Sequence, residues 1–65
     1  MARLSNADMK EIAENVCAAH QQTGTVPGWL LEATREALAK ATFGPRLAFM
    51  SHLRENCPEA IRWFS

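Results

Sequence analysis

Glycine and proline interrupt this sequence at three places and divide it into segments that each suit one helix. The breaks are Gly24 with Pro27, the pair Gly44 and Pro45, and Pro58. Glycine readily adopts the left-handed conformation that ends helices, and proline is well tolerated in the first turn of a helix. The breaks therefore predict three helices and a short fourth helical segment, and no stretch has the alternating pattern of a strand.

The first segment carries a complete set of signals for the start of a helix. Ser5 suits the N-cap position, and Asp8 lies where its carboxylate can complete a capping box. Leu4 is placed to pack on Met9 as a hydrophobic staple. Apolar residues then recur at spacings of three and four, which predicts a helix that continues to about Gln22 with one face turned to the core.

The ends of the next two helices are predicted from the same signals. Pro27 fits the first turn of a second helix that continues to Ala41, and Gly44 is expected to close it. Pro45 then opens a third helix, whose pattern breaks near Asn56. The last segment, EAIRWFS, is expected to form one helical turn.

Together these elements predict an all-α fold, a small three-helix bundle with a short fourth C-terminal helix, in which residues 1–65 form a single domain. A chain this short buries only about 60% of its unfolded surface, so it has little stability to spare. The residues expected to form the core are Met9, Ile12, Val16, Leu30, Leu31, Leu38, Leu47, Met50, Leu53 and Ile61.

Charge and hydropathy narrow the classes of function. Seven basic and seven acidic residues give a formal net charge of zero, so no general field attracts nucleic acid or an anionic membrane. The first residues lack the apolar core of a signal peptide, and no apolar run is long enough to span a membrane. We therefore expect a cytoplasmic protein whose cysteines, Cys17 and Cys57, are reduced thiols.

The stretch TVPGWLLEA, residues 25–33, raises the question of DNA recognition. It loosely resembles the start of a recognition helix in a helix-turn-helix unit. However, the Ile-Ala pair at Ile12 and the Thr-Val pair at Thr25 are 13 positions apart, which exceeds the usual spacing by about three. The exposed face of the second helix is also half acidic, which phosphate repels. A core-forming helix is the favoured interpretation, and a helix-turn-helix-like DNA-binding regulator is the alternative.

One combination of side chains suits a structural metal. In an up-down-up bundle the first and third helices are parallel, so their C-terminal ends lie at the same end of the molecule. The candidate zinc ligands there are Cys17, His20, His52 and Cys57. The competing interpretation is that the cysteines fill the core and the histidines are ordinary surface residues, and we favour it. A zinc-stapled domain is therefore the second alternative, and no cofactor is expected.

Catalysis has less support, and the aromatic residues point instead to a partner. Ser51 and His52 are adjacent and project about 100° apart on a helix, so they cannot act as a nucleophile and base pair. No enzyme activity is expected. The C-terminal aromatic residues either fold onto the bundle or are covered by a partner. Ile61 and Phe64 are expected in the core. Trp63 either covers the core or binds a partner.

The favoured function is a small stand-alone protein-binding regulator, an adaptor or inhibitor that docks on a larger protein. Chains of this size without a catalytic site often belong to phages or mobile elements, which is an analogy of size and class only. A homodimer is also possible, because it would bury more apolar surface. The candidate partner-binding residues are Trp29, Phe43, Arg46, Phe49, Arg62, Trp63 and Phe64.

Overall fold

The computed structural model describes residues 4–64, and these residues form an all-α fold, as predicted. Helix α1 spans Asn6–Thr23, α2 spans Gly28–Lys40 and α3 spans Phe43–Asn56. A 3₁₀ helix, Pro58–Trp63, follows at the C-terminus. No strand occurs in the part of the chain that the structure describes, and no helix there is long and apolar enough to cross a membrane.

Helix α1 begins and ends as the sequence signals predict. The Ser5 side chain accepts a hydrogen bond from the Asp8 backbone N–H at 3.1 Å, and the Ser5 N–H donates to the Asp8 carboxylate at 3.0 Å. These two bonds form the predicted capping box. At the other end Gly24 has φ 78° and donates its N–H to the carbonyl of His20 at 2.7 Å. The helix thus has satisfied backbone groups at both ends.

The boundary between α2 and α3 differs from the prediction. Helix α2 ends at Lys40, with an extended Ala41 after it, and α3 begins at Phe43. Gly44 therefore does not close α2, because it lies in the first turn of α3 and has no positive φ. Pro45 is accommodated in that same first turn, where a missing N–H leaves no intrahelical bond unmade. Helix α2 likewise begins one residue after Pro27, which is its N-cap.

Helices α1 and α3 lie side by side and run parallel. The Asn6 side-chain oxygen lies 3.5 Å from where a Cβ on Gly44 would stand, so the two helices start at the same end. Cys17 and Cys57 meet near the other end. Because the connections on both sides of α2 are short, α2 must run back in the opposite direction. We call the two ends of the bundle the amino end, at Asn6 and Gly44, and the disulfide end.

Cys17 and Cys57 form a disulfide bond, which corrects the expectation of two thiols. Their Cα atoms are 5.8 Å apart, across a sequence separation of 40 residues. Both residues are buried, and no free cysteine remains among the described residues. The parallel helices that were expected to bring the two sulfurs together therefore do so, but as a covalent link.

The core confirms most of the expected residues and corrects one. Leu47 is 49% exposed, although it was expected inside. Helix α3 instead turns Pro45, Phe49 and Leu53 inward, because this stripe at spacings of four buries an aromatic ring. Ile12, Leu31, Leu38, Met50 and Ile61 pack against the core and are partly buried. The buried apolar residues are Met9, Ala13, Val16, Cys17, Val26, Leu30, Phe49, Leu53, Cys57 and Ala60.

Candidate partner-binding surface

Among residues 4–64, three large apolar side chains remain exposed. Trp29 is 72% exposed, Phe43 is 80% exposed and Leu47 is 49% exposed. Single exposed apolar residues are ordinary on protein surfaces, whereas adjacent ones form a surface that a partner can cover. The question is therefore which of the three lie together.

Phe43 and Leu47 are adjacent on the first two turns of α3. They are four residues apart, so they project from the same side of the helix, and the exposed Arg46 lies beside them. We call Phe43, Arg46 and Leu47 the α3 patch. Sequence reasoning placed Phe43 and Arg46 in a binding surface but missed Leu47, which it assigned to the core. The sequence feature that could have placed Leu47 on the surface is its spacing of four from Phe43, which lies next to the predicted helix boundary at Gly44 and Pro45.

The α3 patch carries positive charge from the start of α3 and from Arg46. Thr42 is the N-cap of α3, but its side chain makes no capping hydrogen bond, and the first turn contains no acidic residue. The N-terminus of a helix carries a partial positive charge, which is uncompensated by a local carboxylate here. Arg46 adds a full charge, and no carboxylate lies within ion-pair distance of it among residues 4–64. The patch therefore combines apolar surface with positive charge.

Trp29 belongs to a different part of the surface. It lies in the first turn of α2, whereas Phe43 follows the end of that helix. A helix of 13 residues is about 20 Å long, so Trp29 lies toward the disulfide end, away from the α3 patch. The predicted set of partner-binding residues is therefore not one continuous surface.

Phe49 must be removed from the predicted surface. Its side chain is 0% exposed, and its ring meets the ring of Phe64 edge to face, with centroids 5.3 Å apart and an interplanar angle of 89°. Phe64 is half-buried against the core, as expected for a C-terminal residue that folds back. Phe49 is a core residue because it lies on the same face of α3 as the buried Pro45 and Leu53.

Trp63 also folds onto the bundle. It is partly buried, its indole N–H is buried without a hydrogen-bond partner, and its backbone carbonyl accepts a 3.1 Å hydrogen bond from the Arg35 guanidinium on α2. This position matches the interpretation in which Trp63 covers the core. Arg62 beside it is exposed. The C-terminal residues thus tie the 3₁₀ helix to the bundle.

The predicted zinc ligands do not form a metal site. Both cysteine sulfurs are used in the disulfide, so no thiolate is left to bind zinc. The Asn56 side-chain amide lies 3.4 Å from Nδ1 of the His52 ring and donates to the His52 backbone carbonyl at 3.0 Å. Within residues 4–64 no group of three or more His, Cys, Asp or Glu residues is arranged to hold a metal ion. The parallel helices explain why the four residues were expected together.

A shallow groove of about 260 Å³ lies between α1 and α3. Its wall is mainly apolar, and its polar members include Lys10, Ser51 and Glu55. None of these side chains forms a hydrogen bond or ion pair with another across the groove.

Comparisons with protein-family models, with curated proteins and with solved structures found no match to this chain. Any statement about function therefore depends on the surface and the fold described above.

Proposed function

We propose that this chain is a small protein-binding regulator that docks on a larger protein through the α3 patch. The observation that supports this function is the exposure of Phe43 and Leu47 on consecutive turns of one helix, 80% and 49%. Covering an aromatic ring and a neighbouring leucine with a partner removes this apolar surface from water. Phe and Arg side chains inside such a surface often cost 1–2 kcal/mol of binding free energy, or about 5- to 30-fold in affinity, when truncated.

The charge of the patch indicates what the partner offers. Arg46 and the uncapped start of α3 favour a partner that surrounds apolar side chains with Asp or Glu. A basic partner or bare nucleic acid fits less well, since DNA binding needs several phosphate-neutralising side chains on one face. The α3 patch has one, Arg46. We therefore propose an acidic protein surface as the partner.

The disulfide bears on where such a regulator acts. Cytosolic thiols are kept reduced, and disulfides persist in oxidising compartments. A regulator whose fold depends on this bond acts in an oxidising compartment, whereas the cytoplasmic location predicted from the sequence requires that the fold survive reduction.

The test is affinity capture with matched surface variants. The tagged protein, Phe43→Ala, Leu47→Ala and Arg46→Glu are compared in nuclease-treated lysate of the source cells. Trp29→Ala is the control for removing an exposed apolar side chain elsewhere, and Arg54→Glu is the control for reversing an exposed charge on α3. We expect one protein at near-equal stoichiometry, lost with the three patch variants and kept with the two controls.

Other outcomes contradict the proposal in identifiable ways. Capture that is equal for all variants would place the interface elsewhere. Recovery that depends entirely on nucleic acid would favour the DNA-binding alternative. Sedimentation equilibrium of the purified protein shows whether the partner is a second copy, and self-association that Phe43→Ala abolishes would replace the larger partner with a homodimer.

A further inference from the structure

We propose that the Cys17–Cys57 disulfide makes this fold conditional on oxidation, so that the bond acts as a thiol–disulfide switch. The oxidised chain holds the fold described above. Reduction of the bond by a dithiol shifts the chain toward an unfolded form in which the C-terminal 3₁₀ helix no longer covers the core. This inference concerns the disulfide end of the bundle and does not depend on the proposed partner.

The position of the disulfide explains why its reduction would release the C-terminal 3₁₀ helix from the core. Cys57 is at once the C-cap of α3 and the residue before the 3₁₀ helix, and Cys17 lies on the buried face of α1. The bond therefore joins the two parallel helices at the point where the C-terminal segment begins. The segment contributes Ala60 to the core at 0% exposure and lays Trp63 and Phe64 over it.

The length of the closed loop sets the size of the effect. The two cysteines are separated by 40 residues, which is most of the chain. Cross-linking a loop of that length removes chain entropy from the unfolded state, and losing the link lowers the folding equilibrium constant by about 1000-fold in the loop-entropy description. A domain of this size has a total folding constant of about 10³ to 10⁷. The disulfide therefore contributes a large part of the free energy of folding.

Because both sulfurs are buried, the stability lost on reduction comes mainly from the missing covalent link and not from poorer packing of the core. Cys17 is 5% exposed and Cys57 is 2% exposed, among apolar neighbours. Two reduced thiols occupy nearly the same space and behave as small apolar groups, so reduction leaves the core filled. The main loss is the constraint on the unfolded chain. An attacking thiolate must also wait for the fold to open, which makes reduction of the folded protein slow.

The redox step is ordinary thiol–disulfide exchange. A thiolate of dithiothreitol attacks one sulfur, forms a mixed disulfide and releases the other cysteine as a thiolate that takes up a proton. The second thiol of the reagent closes its own ring and releases the remaining cysteine. Two electrons and two protons pass from the dithiol to Cys17 and Cys57, and exchange with a small-molecule disulfide, which takes up the two electrons as it becomes two thiols, reverses the step.

The two tryptophans allow a direct test. Trp29 is 72% exposed, whereas Trp63 is partly buried, so Trp29→Phe leaves one tryptophan that reports on the C-terminal segment. Urea unfolding of this variant is followed by Trp63 emission and by far-UV circular dichroism, with and without dithiothreitol. We expect reduction to lower the folding constant by about 1000-fold, to shift Trp63 emission to the red, and to be reversed by reoxidation.

A matched variant separates the effect of losing the disulfide from any other effect of dithiothreitol. Cys17→Ala with Cys57→Ala, in the Trp29→Phe background, is expected to be at least as unstable as the reduced chain, because it also removes two buried sulfurs, and to ignore dithiothreitol. A reduced chain that keeps the Trp63 emission and circular dichroism of the oxidised chain in the absence of urea would overturn the inference, whatever its urea midpoint. That result would leave the α3 patch untouched, because partner capture by the oxidised protein is a separate measurement.

Discussion

The edge-to-face pair of Phe49 and Phe64 provides a quantitative test of how the C-terminus is held. Its rings lie 5.3 Å apart at 89°, which is the geometry that aromatic pairs favour. Such pairs contribute about 0.5–1.5 kcal/mol beyond the area that they bury. The perturbation is a double-mutant cycle of Phe49→Leu and Phe64→Leu, in which leucine keeps much of the apolar volume and removes the ring contact.

The expected free energies of unfolding follow from the burial of each ring. Phe49 is 0% exposed, so Phe49→Leu loses the pair and some packing, about 2 kcal/mol in total. Phe64 is partly buried, so Phe64→Leu loses the pair and less packing, about 1.5 kcal/mol. Because the pair can be lost only once, the double variant is expected to lose about 2.5 kcal/mol rather than the sum of the two.

The assay is urea unfolding of the oxidised proteins, followed by far-UV circular dichroism. The cycle isolates a coupling free energy of about 1 kcal/mol. Phe43→Leu is the control, because Phe43 is 80% exposed and its replacement should change stability by less than about 0.5 kcal/mol. Single-variant losses that add up in the double variant would refute the reasoning, since the ring contact would then contribute nothing.

Three further changes test single features by the same unfolding assay. Ser5→Ala removes the capping oxygen that accepts from Asp8 N–H and should cost about 1 kcal/mol, whereas a loss near zero would mean that the capping box is not formed in solution. Gly24→Ala should cost about 1 kcal/mol because φ is 78°, although space for the methyl group is open, and an unchanged midpoint would contradict the left-handed end of α1. Thr34→Val should leave stability unchanged or raise it by up to about 1 kcal/mol, since the Thr34 hydroxyl is buried without a hydrogen-bond partner, and a marked loss would reveal a partner for that hydroxyl.

The features of the fold that depend on near neighbours were predictable from the sequence. Ser5, Asp8 and Gly24 act through hydrogen bonds or dihedral angles within a few residues, so their roles could be read without knowing the rest of the structure. Gly44 misled the prediction because glycine suits both a helix end and a first helical turn. Which of these two roles Gly44 takes depends on where α3 begins, and α3 begins at Phe43.

The inward face of α3 could not be predicted from its own pattern. Leu47 and Met50 offered one apolar stripe, and Phe49 and Leu53 offered another, and the second is buried because it faces α1. A longer pattern does distinguish them. Buried residues recur at spacings of four in both parallel helices, and each series ends in a cysteine: Met9, Ala13 and Cys17 in α1, and Pro45, Phe49, Leu53 and Cys57 in and just after α3.

The candidate surface was predictable only in part. Phe43 and Arg46 are exposed, as a binding role requires, but nothing in a single sequence distinguishes an aromatic ring inside the bundle from one outside it. The bundle topology was enough to predict that Cys17 and Cys57 meet. Their oxidation state was not, because it depends on the surroundings in which the chain folds as well as on the distance between sulfurs.

The parallel pairing of α1 and α3 has a consequence for how quickly the chain folds. Most small helical bundles fold rapidly because neighbouring helices in the chain pack on each other, which keeps the contacts local. Here the paired ends, Asn6 with Gly44 and Cys17 with Cys57, are 38 and 40 residues apart in the chain. The central helix pairing therefore requires closure of a loop that includes all of α2, which raises the contact order above that of a bundle in which neighbouring helices pair. An unfolded chain that keeps its disulfide has already closed this loop, so it should reach the native pairing much faster than a reduced one.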